Sequence, residues 1–75
     1  MVSTKTFLFV SIDGMTDPLG QSQVLPYLVG LAKSGIKIGI VSCEKRENWK
    51  SQHHIIEQIT NEAGISWDYC FYRAS

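Results

Sequence analysis

The sequence lacks an excess of either charge, because seven lysine and arginine residues balance seven aspartate and glutamate residues. Chains that bind nucleic acid or an anionic membrane by electrostatics are usually rich in basic side chains, often clustered on one face. No lysine- or arginine-rich cluster occurs anywhere in this sequence. We therefore expect no nucleic-acid partner.

Cysteine is also scarce, with only Cys43 and Cys70. Two cysteines do not make the disulfide framework of a small secreted protein. Both fall in expected strands, where we predict that they are small buried apolar residues. No apolar run has the length of a signal-peptide core or a membrane span, since the longest uncharged stretch, 18–32, contains glutamine, serine and proline. These absences indicate a cytoplasmic protein.

The residues of a metal or dinucleotide site are missing as well. His53 and His54 are neighbours in an expected helix, point in different directions and have no partner at metal-ligand spacing. Gly14 and Gly20 are too far apart for the three-glycine dinucleotide fingerprint, although Glu44 lies where its ribose-binding acid would be. We expect no metal, no cofactor and no complete catalytic constellation.

What the sequence does contain is a balanced globular composition. Of its 75 residues, 44% are hydrophobic and 19% are charged, so the chain is too apolar to be disordered. The length allows one small domain. A domain of this size buries only about 60–65% of the surface that its unfolded chain exposes, so we expect marginal stability.

Three apolar, β-rich segments, 6–12, 36–43 and 65–72, predict three strands. Helical patterns separate them, and strands that alternate with helices form a parallel sheet. Right-handed crossovers place both helices on one face and give the strand order three-two-one. The predicted fold is thus α/β, a β-α-β-α-β portion of a three-layer, Rossmann-like domain.

Both helices have clear signals at their ends. The apolar period predicts that the first helix starts near Ser22 or Gln23 and is distorted around Pro26, which has no backbone N–H. Gly35 and Gly64 are placed to end the first and the second helix in the left-handed conformation.

The first strand raises a packing problem. Residues 7–10 are apolar at four consecutive positions, so both faces of this strand require burial. The two helices cover only one face, and the outer edge of the strand has no neighbour, which favours self-association. Either further chain or a partner is expected to cover the bare face.

The segment 13–20 reaches the carboxyl edge of the sheet, where open α/β sheets bind ligands. Gly20 precedes a helix and could let backbone N–H groups approach an anion such as a diphosphate; alternatively, Gly14 and Gly20 only satisfy turn geometry. Asp13 and Asp17 could face one cleft as proton or hydroxyl acceptors. Alternatively, Asp17 begins an Asp-Pro turn and Asp13 caps the strand end.

Four segments of the sequence carry a family resemblance: DGMTDPLGQSQVLPYL at 13–28, GLAKSG at 30–35, SCEK at 42–45 and EAGISW at 62–67. They resemble the N-terminal region of bacterial family 4 (group 1) glycosyltransferases of the GT-B fold. The likeness covers nearly the whole chain, and the long first segment is its most specific part.

The resemblance implies a retaining, metal-independent enzyme that transfers a sugar from a nucleotide-sugar donor to a glycan or lipid-linked acceptor in cell-surface polysaccharide synthesis. In such enzymes the N-terminal domain shapes the acceptor site, and its first loop approaches the donor diphosphate. By this likeness Gly20 and Gln21 are expected near donor phosphates. Asp13, Asp17 and Glu44 are expected to line the acceptor side of the cleft.

The family grips its donor with two glutamates seven residues apart in a C-terminal domain, and no glutamate here has a partner at that spacing. The resemblance therefore implies that residues 1–75 are part of an N-terminal domain, without the donor-binding domain and inactive alone. It would act in the cytoplasm or at the inner face of the membrane. The alternative is a free-standing α/β module that dimerises through its first strand without catalysis.

Overall fold

The computed structural model of the protein describes residues 5–72. Within this range, strands and helices alternate in the order that the sequence predicts. The elements are β1 (Thr6–Ser11), a π-helical turn (Gly20–Val24), α1 (Leu25–Lys33), β2 (Lys37–Glu44), α2 (Arg46–Ala63) and β3 (Ser66–Phe71).

The three strands form one parallel sheet in the order β1-β2-β3. Phe9 of β1 lies opposite Ile40 of β2, which in turn lies opposite Trp67 of β3. This is the predicted strand order, and the α/β class with a β-α-β-α-β arrangement is confirmed. The carboxyl ends of the strands therefore meet at one edge of the sheet, as they do in Rossmann-like domains.

The first helix begins earlier than expected, and its distortion has a clear form. The π-helical turn starts at Gly20 rather than near Ser22 or Gln23, and the backbone N–H of Leu25 donates to the carbonyl of Gly20, five residues back. Pro26 lies in the first turn of α1, a position where a helix tolerates a residue without a backbone N–H. The π-helical turn comes directly before α1, so the distortion that the sequence predicts around Pro26 lies on the N-terminal side of the proline.

Both helices end at the predicted glycines. Gly35 has φ 100° and Gly64 has φ 72°, a backbone conformation that glycine adopts without steric cost. Gly64 is the left-handed cap of α2, where its N–H donates to the carbonyls of Thr60 and Asn61. The chain can then turn at once into β3.

The core lies on one face of the sheet. Ile38 and Ile40 of β2 are buried there under α1 and α2, which contribute Leu28 and Ile56. Met15, from the segment that follows β1, completes this core and is fully buried. The segment after β1 is therefore packed into the domain rather than projecting from it.

The opposite face of the sheet is uncovered, as the sequence predicts. Leu8 and Val10 of β1 alternate with the residues that face the core, and their exposed fractions are 61% and 68%. Cys43 and Cys70 lie on this face as well: Cys43 is half-buried and Cys70 is exposed. The prediction that both cysteines are buried is wrong, because both lie on the face of the sheet that the helices leave uncovered.

Candidate functional site

The segment 13–20 is held at the carboxyl edge of the sheet by Glu44, the last residue of β2. Its side chain is fully buried, with an exposed fraction of 0%. The carboxylate accepts hydrogen bonds from the backbone N–H of Met15 at 2.8 Å and of Thr16 at 3.1 Å, and from the Thr16 hydroxyl at 2.6 Å. A buried carboxylate with several donors fixes the backbone that carries them. We therefore treat Glu44 as a residue that positions the loop rather than one that lines a cleft.

A second chain of hydrogen bonds reaches Glu44 from β3. The indole N–H of Trp67 donates to the hydroxyl of Ser42 at 2.9 Å, and that hydroxyl donates to Oε2 of Glu44, the oxygen that also accepts from the Met15 N–H. Ser42 is fully buried, so its hydroxyl depends on both partners. All three strands thus contribute to one polar network: β3 through Trp67, β2 through Ser42 and Glu44, and β1 through the loop that follows it.

Two glycines allow this close packing. A Cβ atom at Gly14 would lie 2.6 Å from Oε1 of Glu44, and one at Gly20 would lie 2.3 Å from the carbonyl oxygen of Gly14. These distances are well inside van der Waals contact, so a side chain at either position would displace the loop. Close backbone approach, rather than a turn with positive φ, explains both glycines, since neither of them has that conformation.

Asp17 closes the loop and connects it to α2. Its carboxylate accepts from the Gly14 N–H at 3.2 Å, the Lys45 ammonium at 3.0 Å and the Asn48 amide at 2.6 Å. Partial burial opposes the charged form, but the donors from Lys45, Gly14 and Asn48 outweigh it and lower the pKa of Asp17. The same ion pair, chiefly through its hydrogen bond, raises the pKa of Lys45. The alternative interpretation, a turn that begins at Asp17, fits the hydrogen bond that the Asp17 carbonyl accepts from the Gln21 N–H at 3.0 Å. A separate turn ends at Asp17, whose own N–H donates to the Gly14 carbonyl at 3.2 Å.

Gln21 makes contacts inside the protein. Its side-chain amide donates to the carbonyl of Thr16 at 3.1 Å and to the side chain of Gln52 at 3.0 Å. Both N–H groups of the amide are used in this way. The start of the first helix is thereby connected to the loop on one side and to α2 on the other.

An open depression of about 410 Å³ lies beside the loop, and its walls include Asp13, Asp17, Lys45 and Asn48. Its size is in the range of small-molecule pockets. The Lys45 side chain is 46% exposed, whereas that of Asp17 is 13% exposed. Asp13 is exposed, and its carboxylate has no hydrogen-bond partner among residues 5–72. The depression therefore offers one accessible cation and one accessible carboxylate.

An aromatic cluster packs α2 against β3. The Trp49 ring stacks on His53 with centroids 4.7 Å apart and lies 4.1 Å from the ring of Tyr69. Arg46 places its guanidinium 4.2 Å above the centre of the Phe71 ring. Trp49 is therefore a packing residue.

The structure thus brings some of the predicted site residues together and separates others. Asp13 and Asp17 line the same depression. Glu44 lies beneath the loop, and Gly20 is buried against the Gly14 carbonyl. The placement of Gly20 and Gln21 near donor phosphates, and of the acidic residues beside an acceptor, stays a prediction.

The sequence analysis missed several residues of the site. For Ser42 the strand period gave a signal, because Ser42 and Glu44 are two residues apart in β2 and therefore lie on the same face of the sheet. The hydrogen-bond partners of these two residues lie far away in the sequence, so no local pattern indicated them. The residues that sequence reasoning missed are Thr16, Ser42, Lys45, Asn48 and Trp67.

Over the range 5–72 no group of three or more histidine, cysteine, aspartate or glutamate side chains is arranged to hold a metal ion. In the same range no helix has the length and apolar character that a bilayer span requires.

No known protein-family model matches the chain, and a search of the curated proteins finds no match. Any assignment of function thus depends on the residues themselves.

Proposed function

We propose that the chain is the acceptor-side part of the N-terminal domain of a retaining, metal-independent glycosyltransferase that uses a nucleotide-sugar donor. The observation that carries the proposal is the loop 13–20, which resembles the first loop of family 4 enzymes in sequence. Glu44 fixes this loop at the carboxyl edge of a parallel sheet, where α/β folds bind ligands. A loop held this firmly is suited to present a surface of constant shape to a substrate.

In this proposal the acceptor sugar occupies the depression beside the loop. Asp13 is the accessible carboxylate and would accept hydrogen bonds from acceptor hydroxyls, while Asp17 is already engaged by Lys45 and Asn48. Asp17 would then shape the site and hold the Lys45 ammonium in place. Glu44 contributes indirectly, by positioning the loop.

The donor diphosphate would lie near the start of the first helix. The side-chain amide of Gln21 is occupied within the protein, and Gly20 is buried. The backbone N–H groups of residues 13–17 already donate within the protein, and proline at 18 has none. Any contact to phosphate would therefore come from the N–H groups of residues 19–20 at the start of the helix, with Lys45 as a nearby cation. The chain by itself would catalyse no transfer, because the donor-gripping half is a separate domain in this proposal. It would act in the cytoplasm or at the inner face of the membrane.

The test begins with the reading frame that encodes the chain, which should continue into a second α/β domain. The complete protein is then assayed for transfer from radiolabelled nucleotide sugars to lipid and glycan acceptors, beside the 75-residue chain. We expect transfer only by the complete protein, and a loss of at least about tenfold in Asp13→Asn with Asp68→Asn as a matched control. Transfer by the isolated chain, or none by the complete protein across donors, contradicts the proposal.

A second candidate function is self-association without catalysis. The outer face of β1 is strongly exposed at Leu8 and Val10, and Ile12 beyond the strand is 79% exposed. Among residues 5–72, β1 pairs only with β2, so its outer edge is open to another chain. Two copies could pair through this edge and bury the apolar side chains.

Gel filtration with light scattering separates the two candidates. A uniform dimer at low concentration, converted to monomer by Val10→Lys, favours the self-association function. Aggregates of mixed size favour a domain that requires the rest of a larger protein. Lys37→Glu on β2 serves as a control for a charge change on the same face.

A further inference from the structure

Cys43 and Cys70 are placed opposite each other on neighbouring strands. They are register partners in the parallel pairing of β2 and β3, and both side chains lie on the open face of the sheet. Their sulfur atoms are 3.2 Å apart, within hydrogen-bond distance for thiols. This juxtaposition does not depend on the proposed function.

The geometry points to a redox-active dithiol, in which Cys43 and Cys70 form a reversible disulfide that joins β2 to β3. Adjacent strands are about 4.7–4.9 Å apart, and the Cα atoms of most disulfides are about 4.4–6.8 Å apart, so opposite residues can be bridged. Closing the sulfur–sulfur distance to about 2.05 Å requires side-chain rotation rather than a new strand pairing.

The accessibility of the two thiols indicates the order of reaction. While the open face is uncovered, as it is in residues 5–72, Cys70 is exposed and is the thiol that a soluble oxidant reaches first. The hydrogen bond to Cys70, with smaller effects of burial and of nearby charge, raises the pKa of Cys43. Because the thiolate is the nucleophile, Cys43 is suited to the second, intramolecular step rather than to the first attack.

With oxidised glutathione as the oxidant, the reaction balances in two exchanges. The Cys70 thiolate attacks the glutathione disulfide, and one glutathione thiolate leaves. Cys43 then attacks the sulfur of Cys70 in the mixed disulfide, and the second glutathione leaves. Glutathione gains the two electrons that the cysteines lose, and the two cysteine protons end on the two released glutathione thiols.

A disulfide at this place would act on the candidate site. The carbonyl of Cys43 is 3.0 Å from where a Cβ of Gly14 would be, and the next residue is Glu44, which holds the loop. Exposed disulfides between strands are generally easier to reduce than buried structural ones. The bridge would thus be a reversible clamp on the end of β2.

The experiment measures the equilibrium constant for intramolecular disulfide formation in glutathione redox buffers, once in native buffer and once in concentrated urea. Species are quenched by alkylation and identified by mass. We expect the constant in native buffer to exceed that in urea by at least about tenfold, because the folded sheet holds the thiols together. The ratio of the two equilibrium constants also gives the amount by which the disulfide stabilises the folded chain, at about 1.4 kcal/mol for each factor of ten.

The matched control moves one thiol out of register while keeping it on the same face, by combining Cys43→Ser with Val41→Cys. The loop between the two cysteines changes little in length, so the equilibrium constant in urea should be nearly unchanged. The equilibrium constant in native buffer should fall at least about tenfold, because diagonal neighbours on adjacent strands are about 7–8 Å apart. Equal constants in native buffer and urea for the natural sequence overturn the proposal, whether the chain is folded or not. So does the accumulation of glutathione adducts or linked dimers in place of the internal disulfide.

Discussion

The two faces of this sheet differ in almost every respect. On the covered face, β2 carries two buried isoleucines followed by a buried serine and a buried glutamate, and every described buried hydrogen-bonding atom of their side chains has a partner. The open face carries apolar side chains from β1 and β2, a pair of thiols and scattered polar residues. Its apolar and thiol residues are Leu8, Val10, Val41, Cys43 and Cys70, and its charged residues are Lys37 and Asp68.

This difference shows what a two-helix unit can complete by itself. Two right-handed crossovers cover one face and bring a polar network to the carboxyl edge of the sheet. The network ends at Glu44, which connects the buried face to the loop 13–20. The candidate site therefore belongs structurally to the covered face, and the open face is where we propose that further chain or a second copy packs.

The strongest test of the covered face is Glu44→Gln. The substitution keeps the shape of the side chain but places an amide N–H₂ against donors from Met15, Thr16 and Ser42. We expect a loss of about 4 kcal/mol in the free energy of unfolding, because several buried donors lose their acceptor. Urea unfolding followed by circular dichroism measures the change.

The matched control is Glu47→Gln, which makes the same chemical change at an exposed residue in the first turn of α2. Its cost should stay below about 1 kcal/mol, the usual effect of one charge at a helix start. Similar costs for both variants would mean that Glu44 does not hold the loop in solution.

The comparison of the two faces can also be tested with apolar side chains. Ile40→Ala removes a fully buried side chain from the covered face, and we expect a loss of about 3 kcal/mol. Val10→Ala on the open face should cost less than about 1 kcal/mol, because Val10 is mostly exposed. The same unfolding experiment measures both. A large cost at Val10 would show that something covers the open face in solution, and a concentration-dependent cost would identify it as a second copy.

Much of the fold could be predicted because it is encoded locally. Strand order follows from the alternation of elements and the handedness of crossovers, and the glycines at 35 and 64 mark the helix ends. The candidate site was harder to predict from the sequence, because it depends on contacts between residues that are distant in sequence. Asp17 and Asn48 are 31 residues apart, so no local pattern could pair them. Glu44 was recognised by its position at a strand end, but its burial depends on Gly14, whose lack of a side chain makes the space.

Two glycine substitutions test how closely the loop packs on the helix. Gly20→Ala puts a methyl group 2.3 Å from the Gly14 carbonyl oxygen and 2.9 Å from Cα of Met15, so the backbone must shift. We expect a loss of about 2 kcal/mol, typical of overpacking. Gly30→Ala, in the exposed part of α1 with open space around it, should instead stabilise by about 0.5–1 kcal/mol. Opposite signs in thermal unfolding support the packing, and a stabilising Gly20→Ala contradicts it.

The smallest expected effect is the pH dependence of the contact between Asp17 and Lys45. Because the folded-state pKa of Asp17 is lowered, its contribution to stability is complete above the unfolded carboxyl pKa of about 3.9 and is lost as the pH falls through the lower folded value. The raised pKa of Lys45 has the opposite sense, so its contribution is present below an unfolded pKa of about 10.4 and is lost as the pH rises through the folded value. The size should be small, since the lysine is exposed and salt screens the pair.

Asp17→Asn isolates this contribution. Other carboxylates also titrate in acid, so the informative quantity is the difference in unfolding free energy between the natural chain and the variant, measured from about pH 2 to pH 7. This difference should shrink as the pH falls below about 4. A difference that stays constant with pH for Asp17→Asn would mean that the loop is held by Glu44 alone and that the contact from Asp17 to α2 adds no charge-dependent stability.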